Sequence, residues 1–161
     1  MLPVLITNNS ILNEDDIMDG KEIFFSMNDD KIKKTLKMDN SRIRITDKNL
    51  DFTIIEIKLS DEIDISSVLE IDKGYSDNSK NFLNIYLVQF FGSFEYSPGK
   101  LIGECENKLI VNSIKEGLCG SPIINLNNFK LLGIYKGRGI GTCITKIIER
   151  IKDYYIQRNK N

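Results

Sequence analysis

One short segment, residues 117–123 (Gly-Leu-Cys-Gly-Ser-Pro-Ile), carries the side chain in this sequence that is best suited to covalent chemistry. Cys119 lies between Gly117 and Gly120 and is followed by Ser121-Pro122. A thiol in such a turn can attack a carbonyl carbon, and backbone N–H groups of the glycine-rich turn can stabilise the oxyanion that forms. The alternative interpretation is a β-turn with a buried cysteine, because free cysteine often behaves as a small hydrophobic residue.

The chain contains no histidine. A nucleophile of the Ser-His-Asp type needs an imidazole that takes its proton and returns it to the leaving group. Removing the histidine alone from such a triad lowers kcat about a million-fold, and an unassisted thiol is only a few per cent thiolate at neutral pH. Another base would have to act. Lys115, Glu116 and Lys136 are the nearest in sequence, and the spacing singles out none of them.

Short apolar runs separated by turn-forming residues make up most of the chain, and this pattern predicts an all-β barrel or sandwich. The runs lie at residues 4–7, 23–25, 42–45, 52–57, 84–91, 101–103, 109–111, 123–126 and 131–135. The C-terminal segment differs because its isoleucines recur at helical spacing, which predicts one amphipathic helix at about 144–156.

An acidic stretch at residues 61–80 interrupts the strand-like runs. It has a loop-like Lys-Gly-Tyr-Ser sequence near its end, and its acidic residues are Asp61, Glu62, Asp64, Glu70, Asp72 and Asp77. We therefore predict a connection at 61–80 between an N-terminal β lobe at 1–60 and a C-terminal β lobe at 81–161.

Composition limits the classes of function. The net charge of −1, with acids and bases well mixed, does not provide the basic stripe of a nucleic-acid-binding protein. No apolar run approaches the roughly 20 residues of a membrane span, and the N-terminus lacks signal-peptide features, so a cytoplasmic protein is expected. Three cysteines, Cys105, Cys119 and Cys143, without paired spacing predict neither a disulfide framework nor a metal site. No cofactor is expected.

Several of these segments resemble, in order along the chain, the working segments of trypsin-like (chymotrypsin-fold) serine peptidases. Residues 5–12 (Leu-Ile-Thr-Asn-Asn-Ser-Ile-Leu) are similar to the segment that carries the general-base histidine, and Ser10 stands in the place of that histidine. Residues 50–57 resemble the strand start that carries the triad aspartate, here Asp51.

The C-terminal half resembles the same family. Residues 117–123 are similar to the nucleophile loop, with Cys119 at the position of the attacking serine, and residues 132–137 (Leu-Gly-Ile-Tyr-Lys-Gly) resemble the strand that lines the specificity pocket. The resemblance implies a two-lobe β-barrel architecture in which positions 10, 51 and 119 meet at one crevice.

The resemblance also implies roles for neighbouring residues. The N–H groups of Gly117 and Cys119 would form the oxyanion hole. The residues assigned to substrate binding are Ser113 at the base of the pocket, and Tyr135, Lys136 and Gly137 in its wall. Tyr135 would narrow the pocket, and Lys136 or Arg138 could favour an acidic side chain of a partner. The alternative interpretation is that both cations are solvated loop charges.

This chain departs from the family at its N-terminus, because it starts at the strand before Ser10 without the one or two strands that usually come earlier. We therefore expect an incomplete first barrel. An uncovered strand edge favours association, so either a partner covers it or the residues belong to a longer protein.

These observations predict a degenerate trypsin-like peptidase domain, a pseudopeptidase that binds a peptide or protein segment, if it acts at all, without cutting it. The alternative is an active endopeptidase or esterase of chymotrypsin fold that uses Cys119 with another base. A third interpretation is a gene remnant without selected activity. Neither nucleic acid nor membrane is expected as a partner.

Overall fold

The structure, a computed structural model, describes residues 3–27, 32–64, 66, 68–75, 82–90, 93–105 and 108–158. In this part of the chain it consists of β-strands, two short 3-10 helices (Asp15–Ile17 and Leu59–Asp61) and one α-helix. The strands and the helix are β1 Val4–Thr7, β2 Glu22–Met27, β3 Ile32–Lys37, β4 Arg44–Asp47, β5 Phe52–Glu56, β6 Leu83–Phe90, β7 Phe94–Cys105, β8 Lys108–Ser113, β9 Pro122–Asn125, β10 Leu131–Gly137, β11 Ile140–Cys143 and α1 Ile144–Arg158. The predicted all-β architecture with a C-terminal helix is confirmed.

The chain divides into two compact units. The first contains Met1–Val68 and Phe90–Phe94, and the second contains Leu69–Gln89 and Glu95–Asn161. The predicted lobe boundaries at 60/61 and 80/81 stay a prediction.

In the first unit, β5 is the central strand of an antiparallel sheet with the order β1-β5-β4. Its residues Phe52, Thr53, Ile54 and Ile55 are all buried, as expected for a strand that has neighbours on both edges and no solvated face. β2 and β3 form a separate antiparallel pair. Among the described residues of this unit the two sheets do not close into one barrel, which agrees with the predicted incomplete first barrel.

The second unit is a closed barrel with the strand order β10-β11-β8-β7-β6-β9. Alternate residues of its strands point inward, and Ile85, Leu87 and Leu109 are completely buried in its core. The helix α1 packs against β10 and β11 through Ile144 and Ile147, which are also fully buried. This packing explains the helical spacing of the C-terminal isoleucines.

A buried carboxylate fixes the segment that precedes the barrel. The parallel bridge between Ile71 and Leu131 brings this segment to β10, and the side chain of Asp72 accepts hydrogen bonds from Asn125 Nδ2 (2.8 Å), Asn128 Nδ2 (3.0 Å) and the Gly74 N–H (3.1 Å). Burial alone raises the pKa of Asp72, but the hydrogen bonds from Asn128, Asn125 and Gly74 outweigh it and leave this pKa below its ordinary value.

We expect the difference in stability between the wild type and Asp72→Asn to be large at neutral pH and to shrink in acid. A carboxyl whose pKa is lowered by folding stabilises the folded state above its ordinary value of 3.8, and this contribution is lost as the pH falls through the folded-state value. Urea unfolding of both proteins at pH values on each side of 3.8 measures the difference, with Asp153→Asn on the exposed face of α1 as control. A gap that is constant with pH would contradict the role of the charge.

Candidate functional site

The loop between β8 and β9 carries Cys119, and it is fastened to β10 by backbone hydrogen bonds. The Gly120 N–H donates to the Tyr135 carbonyl (2.9 Å), and the Tyr135 N–H donates to the Ser121 carbonyl (2.8 Å). Gly120 has a φ of +88°, a conformation that glycine adopts without steric cost. The Ser121 N–H closes the turn on the Leu118 carbonyl (3.1 Å). These contacts hold the turn around Cys119 in one shape.

Cys119 is exposed, so the alternative interpretation of a buried cysteine is wrong. Its Sγ donates a hydrogen bond to the carbonyl oxygen of Lys136, with an Sγ···O distance of 3.1 Å. Only the protonated thiol can make this contact, because a thiolate has no proton to donate. The carbonyl at the end of β10 therefore fixes the orientation of the Cys119 side chain.

Gly117 lies against a buried aromatic ring. A Cβ at position 117 would be 2.9 Å from Leu87 Cδ1 and 3.0 Å from Tyr135 Cδ1. Tyr135 is only 1% exposed, and its hydroxyl oxygen accepts a hydrogen bond from the Gly139 N–H (2.9 Å). The ring of Tyr135 thus fills the space behind the loop, and glycine at 117 is required by this close approach.

The N–H groups of Gly117 and Cys119, which the resemblance assigns to an oxyanion hole, lie on either side of the Leu118 N–H in the sequence. The Leu118 N–H donates to Oε1 of the buried Gln89 (3.0 Å). Within the described part of the chain, neither the Gly117 N–H nor the Cys119 N–H forms a hydrogen bond. Their role as an oxyanion hole stays a prediction.

Cys119 opens onto a cavity of about 460 Å³. The lining residues are Lys108, Glu116, Cys119, Lys136, Gly137, Arg138 and Ile140. Glu116 is tied to the turn after β10, because its Oε1 accepts a hydrogen bond from the Arg138 N–H (3.1 Å).

Ser113, which the resemblance assigns to the base of a specificity pocket, does not line this cavity. Its hydroxyl donates to the Lys115 carbonyl (2.6 Å), and its role in substrate binding stays a prediction. Sequence reasoning missed Lys108 and Ile140, which reach the cavity because β8 and β11 pair side by side. No local motif marks either residue.

In the first unit, the structure brings Ser10 and Asp51 together. The Ser10 N–H donates to Asp51 Oδ1 (2.8 Å), and the buried Asn8 donates from Nδ2 to both Oδ2 (3.3 Å) and the backbone carbonyl (3.1 Å) of Asp51. The pairing of β1 with β5, which places Thr7 opposite Thr53, creates this proximity. Asn8 is a contact that sequence reasoning did not identify.

This cluster lacks a proton acceptor suited to general-base catalysis at position 10, since a serine hydroxyl does not take a proton at neutral pH. The Asp51 carboxylate accepts an amide N–H and a backbone N–H, where a triad aspartate would orient an imidazole. Cys119 belongs to the second unit. The expectation that positions 10, 51 and 119 share one crevice stays a prediction.

The described residues lack two kinds of feature. No group of three or more cysteine, aspartate or glutamate side chains is arranged to hold a metal ion in this part of the chain. Among the described helices, none has the length and apolar character that crossing a bilayer requires.

Comparison with known proteins identifies the fold. No protein-family model and no curated protein sequence matches the chain. Among solved structures, it is similar to the serine endoprotease from Yersinia pestis, with a TM-score of 0.64, 14% identity, and coverage of 93% of this chain and 53% of that one. It is also similar to Deg5, with a TM-score of 0.61, 12% identity, and coverage of 91% and 75%.

These similarities, together with the barrel and the C-terminal helix, define the chymotrypsin-like fold, which is also called trypsin-like. The chain spans about half the length of the Yersinia pestis structure, with 53% covered. Because a fold hosts many functions, the function must be argued from the residues of this chain.

Proposed function

We propose that this chain is a degenerate trypsin-like domain that binds a peptide or protein segment at the Cys119 loop without hydrolysing it. The observation that carries this proposal is the hydrogen bond from the Cys119 thiol to the Lys136 carbonyl. A nucleophile that is ready for attack donates to a base, whereas this one donates to a backbone oxygen that cannot accept its proton.

In a Ser-His-Asp peptidase, the histidine carries out two proton transfers during amide hydrolysis. A general base must remove the proton of the nucleophile, and the same group must protonate the departing amine. The chain has no histidine at any position, and a thiol by itself can supply only the attack. Loss of hydrolysis is therefore the expected consequence.

Two features of the Cys119 loop support peptide binding: its backbone N–H groups and the cavity beside it. The N–H groups of Gly117 and Cys119 are available to an acceptor such as a peptide carbonyl, and the cavity beside Cys119 offers room for a side chain. In this proposal Tyr135, Lys136 and Gly137 contact the bound segment, and the buried ring of Tyr135 leaves little space for a large side chain behind Gly117.

The second candidate function is hydrolysis by Cys119 with a base other than histidine. One observation favours it: Glu116 and Lys136 line the same cavity as Cys119. In this alternative one of them takes the proton of the thiol, and the oxyanion donors of Gly117 and Cys119 complete the site.

We expect no hydrolysis of fluorescent casein or of a mixed peptide library above the level of Cys119→Ala. The reason is that no group at Cys119 performs the two proton transfers of an imidazole. The measurement is release of soluble fluorophore by equal amounts of the two proteins, with trypsin as positive control. Turnover by the wild type that disappears in Cys119→Ala would overturn the proposal, and its loss in Glu116→Gln or Lys136→Met would identify the base.

Labelling of Cys119 by iodoacetamide gives an independent measurement. We expect labelling no faster than that of a small-molecule thiol at the same pH, because the Cys119 thiol contacts a backbone carbonyl and not a base. Much faster labelling at pH values below neutrality would indicate an activated thiolate and would favour the second candidate function.

A further inference from the structure

The cavity beside Cys119 has a charge opposite to that of the whole chain. Lys108, Lys136 and Arg138 contribute three positive charges to its lining, and Glu116 contributes one negative charge. The sum is +2 in a chain whose net charge is −1. A concave surface with an excess of charge of one sign concentrates ligands of the other sign, so a net charge of +2 favours anions.

Two of the three cations that line the cavity form no ion pair with another described residue. Among the described residues, neither Lys108 nor Arg138 forms an ion pair, although six other lysine and arginine residues do. Glu116 contacts Arg138 through the Arg138 backbone N–H. The exposed side chains of Lys108 and Arg138 are therefore able to bind a ligand without first breaking a salt bridge.

Arg138 lies in the two-residue turn that joins β10 to β11. Arg138 has a φ of +53°, and its neighbours Gly137 and Gly139 have φ values of +98° and +72°. For a residue with a Cβ this left-handed conformation is sterically unfavourable, whereas glycine adopts it without that cost. A two-residue turn of type I′ between antiparallel strands requires positive φ at both central residues, and this turn places Arg138 in the lining of the cavity.

From these observations we propose that the cavity binds the acidic side chain, aspartate or glutamate, of the peptide segment that the Cys119 loop receives. This inference rests on the proposed function and names the chemical class of its ligand. The planar guanidinium of Arg138 can bind a carboxylate through two parallel hydrogen bonds, and the ammonium of Lys108 adds a second charge-assisted contact. Ile140 and Gly137 offer an apolar wall to the methylene groups of the ligand.

The test is an NMR titration of the ¹⁵N-labelled full chain with two peptides. They differ only in whether one side chain ends in a carboxylate or in an amide. The first is acetyl-Ala-Ala-Glu-Ala-Ala-amide, and the second has glutamine in place of glutamate. We expect amide shifts at Cys119, Gly137 and Gly139, and an affinity for the glutamate peptide at least about tenfold higher, the equivalent of about 1.4 kcal/mol.

Matched variants assign this preference to the cavity. Arg138→Gln and Lys108→Gln are each expected to weaken binding of the glutamate peptide about five- to tenfold, because each removes a hydrogen bond to a charged group, and to leave the glutamine peptide unaffected. Lys100→Gln, which removes an exposed cation of β7 that does not line the cavity, is expected to change neither affinity. Equal effects of all three variants would overturn the proposal, because they would indicate a general influence of net charge.

Further outcomes separate this inference from the proposed function. Equal binding of the two peptides would overturn the acidic preference and leave peptide binding intact. Binding of neither peptide would overturn both. Cleavage of the glutamate peptide but not of the glutamine peptide, lost in Cys119→Ala, would overturn the inactive assignment and support the acidic preference.

Two control ligands identify the source of the carboxylate. If the glutamine peptide with a free C-terminal carboxylate binds more tightly than the glutamate peptide, the cavity recognises a chain end and the side-chain proposal is overturned. The same holds if inorganic phosphate produces the same shifts with an equal or higher affinity, because the site would then be a general anion site.

Discussion

Replacing Arg42 with methionine is expected to lower the free energy of unfolding by about 3–5 kcal/mol, because it leaves a buried carboxylate without its countercharge. The side chains of Arg42 and Asp61 are 3% and 6% exposed. They form a bidentate pair in which Nη1 donates to Oδ2 and Nη2 donates to Oδ1, each over 2.7 Å.

Arg42 also satisfies backbone groups at the ends of two strands. Its Nη1 donates to the Glu56 carbonyl (2.6 Å) and its Nε donates to the Lys37 carbonyl (2.9 Å). The hydrogen bond from Arg42 holds the pKa of Asp61 below its ordinary value, and the same bond raises the pKa of Arg42. The guanidinium therefore links the ends of β3 and β5 to the 3-10 helix Leu59–Asp61.

Urea unfolding followed by circular dichroism measures this effect. The matched control is Lys37→Met, which removes an exposed ion pair: Lys37 is 79% exposed and lies 3.7 Å from Glu22. Such a pair contributes at most about 1 kcal/mol. The double change Arg42→Met with Asp61→Leu is expected to recover part of the loss, since it removes the unpaired charge. Equal losses in Arg42→Met and Lys37→Met would contradict the assignment of a buried pair.

The Arg42–Asp61 pair also shows what could not be predicted from the sequence. The two residues are 19 positions apart, and in a chain rich in lysine and aspartate nothing distinguishes them from solvated charges. The sequence pattern assigned Arg42 to an alternating strand and Asp61 to an acidic connection. Burial of both is a tertiary event, because it depends on the strand ends of β3 and β5 that surround the guanidinium.

Local sequence patterns predicted those features that depend on one strand, helix or loop alone. The apolar run of β5, the helical spacing of α1 and the glycine-rich loop at Cys119 each predicted the element that the structure contains. The resemblance also placed Ser10 beside Asp51, and β1 and β5 bring the two residues into contact, while their roles stay predictions.

Other features of the candidate site depend on strand pairing. Lys108 and Ile140 reach the cavity from β8 and β11, and they are separated in the sequence by β9 and β10. The hydrogen bond from Cys119 to Lys136 likewise joins residues 17 positions apart. A sequence without an alignment indicates the glycine-rich loop, but it does not indicate which cations will surround it.

Replacing Gly133 with alanine is expected to destabilise the second unit by about 3 kcal/mol or more, at the upper end of the range for an overpacked core. A Cβ at this position would clash with the backbone carbonyl oxygen of Thr142 and would lie 2.8 Å from Leu109 Cδ1. A flexible side chain can move, but the Thr142 carbonyl belongs to β11, which is paired with both β10 and β8. Relief therefore requires a shift of a barrel strand.

Gly103→Ala is the matched control, because it places the same methyl group on β7, where a Cβ would have no neighbour within 4 Å. We expect it to be neutral within about 0.5 kcal/mol or slightly stabilising, since glycine in a strand costs conformational entropy. Urea unfolding measures both variants. Gly133 lies on the strand whose Tyr135 and Lys136 carbonyls hold the Cys119 loop, so Gly133→Ala is also expected to shift the Cys119 amide resonance. Equal stability of the two variants would mean that β10 and β11 are not as close as the fold requires.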